Sequence, residues 1–173
     1  DYIGYIIRDY HKISVRKKNM QSYLNRIIRL ITLYKTQKEN RSLRPPFISE
    51  DDKFETYYKD SINELIAGFK CNNHLYGWLP YFQSLTDIAL LYTLDSVIHR
   101  KFLNDDSISD EFRKEIFHVP DVYWDLKHHS GSSYLEDYDN ITSVDSMRRL
   151  LVKWGRINEN LHYQDDDIRT MYY

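Results

Sequence analysis

Residues 16–34 read RKKNMQSYLNRIIRLITLY. The apolar side chains of Met20, Leu24, Ile27, Ile28, Ile31 and Tyr34 recur at three- and four-residue steps, the spacing that lines one face of an α-helix. Arg26 and Arg29 fall off the centre of that stripe, and Arg16, Lys17 and Lys18 stand just before it. The segment therefore carries two expectations at once: a helical fold and a cationic helix face.

The same periodicity recurs on both sides. Ile3, Ile6, Ile7, Tyr10 and Ile13 share a stripe and predict a first helix. Arg44-Pro45-Pro46 is the best internal boundary, because proline lacks an N–H and disfavours α geometry in the residue before it. Ser49 to Asp52 reads as a new helix start with acids in its first turn. Phe54, Tyr58, Ile62, Leu65, Ile66 and Phe69 continue that helix, and Cys71-Asn72-Asn73 with Gly77 reads as a loop. Trp78, Leu79, Tyr81 and Phe82 cluster around Pro80. Ser84 to Asp87 has the form of a capping box opening a helix through Leu91 and Ile98. Asn104-Asp105-Asp106 breaks it, and a short helix with Ile108, Phe112 and Ile116 runs to Pro120. Residues 121–140 read as a loop or two-stranded hairpin. Ser143 caps a helix that Gly155 closes in a left-handed conformation. The tail, with Asp165-Asp166-Asp167, has weak helical signal.

Five Gly and four Pro among 173 residues leave little turn punctuation, which favours helices over a many-turned β fold. The expected architecture is all-α: an irregular helical bundle with a small loop or hairpin insertion near residues 121–140. Its two parts are an N-terminal helical region, 1–75, and a C-terminal one, 76–173.

Net charge is −2, but residues 1–45 hold eleven Lys and Arg against three acids, a balance of +8, and the remainder balances at −10. Such polarity fits a polyanion held at one end or two mutually attracting faces. Arg16, Lys17, Lys18, Arg26, Arg29, Lys35, Lys38, Arg41 and Arg44 are the densest supply of cations for a phosphate backbone, and they form the candidate DNA-binding set. The lone Cys71 excludes a disulfide scaffold and a CxxC zinc site, and it suits a reducing compartment. No stretch reaches the ~18–20 apolar residues of a membrane span. The chain opens on Asp1 without a basic-then-apolar leader and reads as part of a longer protein.

Catalytic motifs are missing from the sequence: it has no phosphate loop, dinucleotide fingerprint or nucleophile elbow. His128-His129 is the most chemical-looking pair. Adjacent histidines do not share a helix face, so they read as solvated loop residues rather than metal ligands. Asp165-Asp166-Asp167 lacks the spacing of a calcium loop and reads as a solvated acidic tail. The expectation is a non-enzyme without metal, cofactor or small-molecule substrate. A metal-dependent hydrolase built around His128 and His129 stands as the least favoured alternative.

Residues 79–103, LPYFQSLTDIALLYTLDSVIHRKFL, resemble the first WHIM helix pair of DDT/WHIM proteins. A short second helix follows at Ser107 to Phe117. Tyr123-Trp124 and Tyr134-Leu135-Glu136-Asp137 resemble the family's Tyr-Trp pair and its Tyr-x-Glu-Asp element. Gly155 to Leu161 is similar to its closing Gly-x-Arg-Glu-x-x-Leu, with Ile157 and Asn158 where the family has Arg and Glu. The glycine that precedes the Tyr-Trp pair in the family is missing here. The resemblance covers about the last 95 residues, an extent estimated from element order, and residues 1–75 would be a diverged DDT-like bundle. It implies a nuclear accessory subunit that docks an ISWI-type remodelling ATPase and contacts duplex linker DNA. Tyr123, Trp124, Tyr134, Glu136, Asp137, Gly155 and Leu161 would then face the protein partner, aromatic residues being favoured interface anchors. The alternative is an all-helical protein-interaction scaffold that binds no nucleic acid.

Overall fold

The computed structural model of the chain describes residues 4–8, 12–45, 48, 50–129, 131–153, 155–158 and 161–172. They are mostly helical, but five short strands in two sheets correct the all-α expectation. The first departure lies at the N-terminus, where a β-hairpin replaces the expected helix. β1 (Tyr5–Arg8) pairs antiparallel with β2 (Lys12–Val15), Ile6 opposite Ser14 and Ile7 opposite Ile13. Ile6, Ile7, Ile13 and Val15 are β-branched and suit a pleated strand better than a helix. Ile3 and Tyr10, the other members of that stripe, lie outside the described residues.

α1 (Lys17–Glu39) buries Tyr23, Ile27, Ile31 and Tyr34. Ile27, Ile31 and Tyr34 lie inward as expected, while Tyr23 takes a core place and Met20, Leu24 and Ile28 are half-buried. A 3-10 turn at Arg41–Leu43 follows, and α2 (Asp51–Ala67) packs on α1 through Phe54, Tyr58, Ile62 and Ile66. The ring of Tyr34 stacks on Phe112 at 4.2 Å and on Phe54 at 5.4 Å, tying three helices together.

Gly68, at φ +86°, then turns the chain into β3 (Phe69–Cys71). The stretch expected as a loop is a hairpin: β3 pairs antiparallel with β4 (His74–Tyr76), and Asn72 and Asn73 both adopt positive φ, the signature of a type I′ turn. α3 (Trp78–Tyr81) follows. α4 (Ile88–Ser96) runs on into a π-helical segment, Val97–Leu103. The Ser84 capping box does not form as expected. Asp87 makes no side-chain cap bond to this helix; its carboxylate accepts from the Ser14 hydroxyl at 2.7 Å and pairs with Lys12 at 2.7 Å. Backbone bonds from Thr86 and Asp87 to the Ile13 carbonyl complete that seam.

α5 (Asp110–Lys114) starts at Ser109, whose hydroxyl accepts the Phe112 N–H. The loop or hairpin expected from residue 121 is instead α6 (Val119–His128), with Val119, Val122, Tyr123 and Leu126 buried at helical spacing. Pro120 does not stop this helix, because it sits in the first turn where no intrahelical N–H is needed. Of the insertion only β5 (Glu136–Asp137) is strand, and it pairs parallel with β3 rather than with a sequence neighbour.

α7 (Val144–Lys153) begins where expected, with Ser143 Oγ accepting the Ser146 N–H. Gly155, at φ +68°, ends it: its N–H reaches Val152 O and that of Arg156 reaches Leu151 O. Trp154, which the sequence places at the end of this stripe, lies outside the described residues. The acidic tail forms α8 (Asp165–Tyr172), its three acids in the first turn where the helix dipole favours them. One buried cluster runs from Val15 to Leu126, across both expected regions, and a second joins Met147, Leu151, Ile157 and Ile168.

Candidate nucleic-acid interface

The nine cations of the expected DNA-binding set divide into two groups. Lys17, Lys18, Arg26 and Arg29 are exposed on the N-terminal half of α1 and make no ion pair among the described residues. Lys18 and Arg29 lie opposite the Tyr23–Ile27–Ile31–Tyr34 face, since positions eleven apart return to the same side of a 3.6-residue helix, and Arg26 flanks that face next to Tyr23. Arg16, the N-cap residue, is exposed beside them. No acid occurs between Lys12 and Lys38, and the first turn of α1 carries none. Cations here sit at the positive end of the helix dipole, a mildly unfavourable placement that concentrates positive potential where an anion would relieve it.

The second group is spent within the fold. Lys35 pairs with Asp105. That contact, with the hydroxyl and N–H of Ser107, holds the Asp105 carboxyl far below the usual carboxylate range. Lys38 lies 3.3 Å from Glu55 and donates to the Tyr34 hydroxyl. Arg44 donates to Asp51 at 2.6 Å and to the Gln37 carbonyl at 3.1 Å, with its guanidinium 4.0 Å over the Phe54 ring. Arg41 meets the other oxygen of Asp51. The Arg44 hydrogen bond is the main reason the Asp51 carboxyl is depressed. Lys38, Arg41 and Arg44 lock α1, the 3-10 turn and α2 together, and Lys35 ties α1 to the turn at Asp105.

Beside the unpaired cations lies a cleft of about 800 Å³. Arg16, Lys18 and Arg26 contribute to its lining, as do Tyr23, Trp78 and Phe82. Tyr23 and Trp78 stack at 4.5 Å with their planes 15° apart. The indole Nε1 of Trp78 is buried without a hydrogen-bond partner, as is the Tyr23 hydroxyl, which burial pushes far above its usual pKa. Gly68 and Gly77 also line the cleft, so close that a Cβ on Gly77 would come within 2.6 Å of the Gly68 Cα. Cations next to flat rings are the parts that hold a phosphate and a stacked base. The sequence pointed to the cations. It did not point to the cleft, whose second wall arrives from more than fifty residues away.

The expected partner-facing residues scatter. Tyr123 is buried and its hydroxyl donates to the carbonyls of Gln83 and Leu85. Tyr134 packs edge-on against Phe117. Asp137 pairs with Lys70 at 3.0 Å, and Gly155 serves as the cap of α7. Trp124 and Leu161 are exposed at 40% and 57%, and Glu136 is exposed as well. His128 stacks on Trp124, and His129 Nδ1 lies 2.7 Å from Asp125. A different histidine pair, His99 and His118, meets Asp95.

No described helix is long and apolar enough to cross a membrane. Set against family models, curated proteins and solved structures, the chain matches none, so the DDT/WHIM resemblance rests on the quoted residues alone.

Proposed function

We propose that the chain is a non-catalytic module that holds nucleic acid by its phosphate backbone through the N-terminal half of α1. The observation that supports this is the division of the cations: Lys35, Lys38, Arg41 and Arg44 are neutralised by carboxylates, while Lys17, Lys18, Arg26 and Arg29 make no ion pair among the described residues, and Lys18 and Arg26 line an aromatic cleft. Contacts of this kind position a duplex without reading its sequence. In the setting that the family resemblance implies, the nucleic acid is duplex linker DNA, the protein partner is an ISWI-type ATPase, and the location is nuclear.

The test is anisotropy titration with a mixed-sequence duplex at several salt concentrations. Four released counterions give a log–log slope of about −3 to −4, hence roughly a hundredfold weaker binding between ~50 and ~200 mM salt. A K18E/R26E/R29E variant is expected to lose this binding, and a K35A/K38A variant to retain it within about threefold. A salt-independent signal, or no binding at micromolar protein, would leave the scaffold reading in its place. A single-stranded arm asks what the cleft adds, since stacking on Trp78 would favour unpaired bases.

A further inference from the structure

We propose that Asp95, His99 and His118 form a binding site for one divalent ion of the zinc class. Asp95 and His99 stand four residues apart where α4 passes into its π-helical segment, so they share one helix face. π-helical turns recur at functional sites. His118 comes from a different element, as the residue that precedes α6. An ion here would clamp α4 to the start of α6.

The distances suit the chemistry. His118 Nδ1 is 3.2 Å and His99 Nε2 3.6 Å from the same oxygen of Asp95, Oδ1. The three candidate ligand atoms all lie within 4.8 Å of one another. Bonds of about 2.0–2.2 Å in a tetrahedral shell place ligand atoms roughly 3.4 Å apart, so two of the three edges are already near that value. The third must tighten. The two imidazoles are stacked 4.0 Å apart, and they must splay until both in-plane lone pairs converge. His118, with 54% of its side chain exposed, has the room to turn, whereas His99 and Asp95 are largely enclosed.

Two further features prepare the site. The Val119 N–H donates to Asp95 Oδ1 at 2.9 Å and fixes the carboxylate, as outer-shell donors do around bound metals. His99 is largely enclosed, so the orientation of its ring is already restricted. Its Nε2 now lies 3.1 Å from the Phe117 carbonyl. Ligation through Nε2 therefore requires the ring proton to sit on Nδ1. Two imidazoles with one carboxylate favour zinc, cobalt or nickel over magnesium or calcium, which prefer all-oxygen shells. The exposed side of His118 leaves a fourth position for water.

Asp95 also has an ordinary structural use, accepting the first N–H of α6, and the experiment must separate the two. The full chain, freed of any histidine tag and stripped with chelator, is titrated with Zn²⁺ by calorimetry and with Co²⁺ by visible absorption. The expected result is one equivalent per chain, a tetrahedral cobalt spectrum and a zinc-dependent rise in Tm. H118A, altered at the exposed ligand, and H99Q are each expected to weaken zinc by more than the roughly 10–100-fold that outer-shell changes cost. H118A should keep its metal-free Tm, and H128A/H129A should bind like the parent. No binding at ~100 µM zinc overturns the site, as does binding that survives H118A or disappears in H128A/H129A.

Discussion

Asp87 is a carboxylate with only 8% of its surface left to solvent. The Ser14 hydroxyl and the Lys12 ammonium both reach it. Asp87→Ala removes the shared partner of both and leaves the buried Ser14 hydroxyl without its acceptor. The expected cost is about 2–4 kcal/mol by urea unfolding, and Asp87→Asn should cost less because an amide oxygen still accepts from Ser14. Arg44 and Arg26 make a contrasting pair. Arg44 is enclosed between Phe54, Asp51 and the Gln37 carbonyl, so Arg44→Ala should destabilise by about 2–3 kcal/mol. Arg26 is exposed and makes no ion pair among the described residues, so Arg26→Ala should change stability by less than about 0.5 kcal/mol while weakening nucleic-acid binding. The sequence shows both residues as arginines in a basic run. It cannot show which of them meets a carboxylate, because that depends on where α2 lies.

The β3–β4 hairpin is held from outside. The N–H groups of Asn72 and Asn73 donate to the two oxygens of Asp139 at 2.6 and 2.8 Å, and these bonds pull the Asp139 carboxyl below its ordinary range. A carboxyl depressed in the fold binds its proton less readily there than in the unfolded chain. Its contribution is therefore complete above the ordinary carboxylate range near pH 4, and it is lost as pH falls through the lower folded value. The protection of the Asn72 and Asn73 amides, taken relative to their intrinsic exchange rates, should fall on acidification below about pH 4, and Asp139→Asn should flatten that dependence. At the hairpin's root, Gly68→Ala combines a positive φ with a Cβ only 2.1 Å from the Tyr76 carbonyl, so a loss of about 2–3 kcal/mol is expected in thermal melts. Short elements were the ones hidden in the sequence. A four-residue run such as Tyr5–Arg8 is less than two helical turns long, so its apolar spacing fits either period, and its partner decides. α6 was legible in principle: Val119, Val122, Tyr123 and Leu126 follow the helical rule, but Pro120 reads as a stop unless it is placed in a first turn. Long stripes such as Phe54–Tyr58–Ile62–Ile66 left no such choice, and Gly155 announced its own cap.

At the scale of the molecule, the candidate sites depend on contacts far apart in sequence: Trp78 on Tyr23, His118 on Asp95, Asp105 on Lys35. The same dependence sets how the chain comes apart. Its large core spans Val15 to Leu126, while the small one that closes α7 on α8 rests on Met147, Leu151, Ile157 and Ile168. Polar groups join the two parts. The Tyr138 hydroxyl donates to Glu64 at 2.6 Å, Lys153 lies 3.6 Å from Asp60 and 3.8 Å from Glu64, and the Tyr172 hydroxyl donates to the Tyr138 carbonyl. A unit with few buried apolar side chains and a polar joint opens at lower free energy than the body it leans on. In native-state hydrogen exchange, the amides of α7 and α8 should therefore exchange by partial opening, ahead of Ile27 and Ile31 in α1. Glu64→Ala removes the acceptor of Tyr138 and one anion facing Lys153, so it should lower protection in α7 and α8 by about tenfold, the equivalent of ~1.4 kcal/mol for a charged hydrogen bond. The slowest α1 amides should move by no more than the change in global stability. Equal loss across all helices would mean that both cores unfold together, and the joint at Glu64 would then be part of one cooperative body.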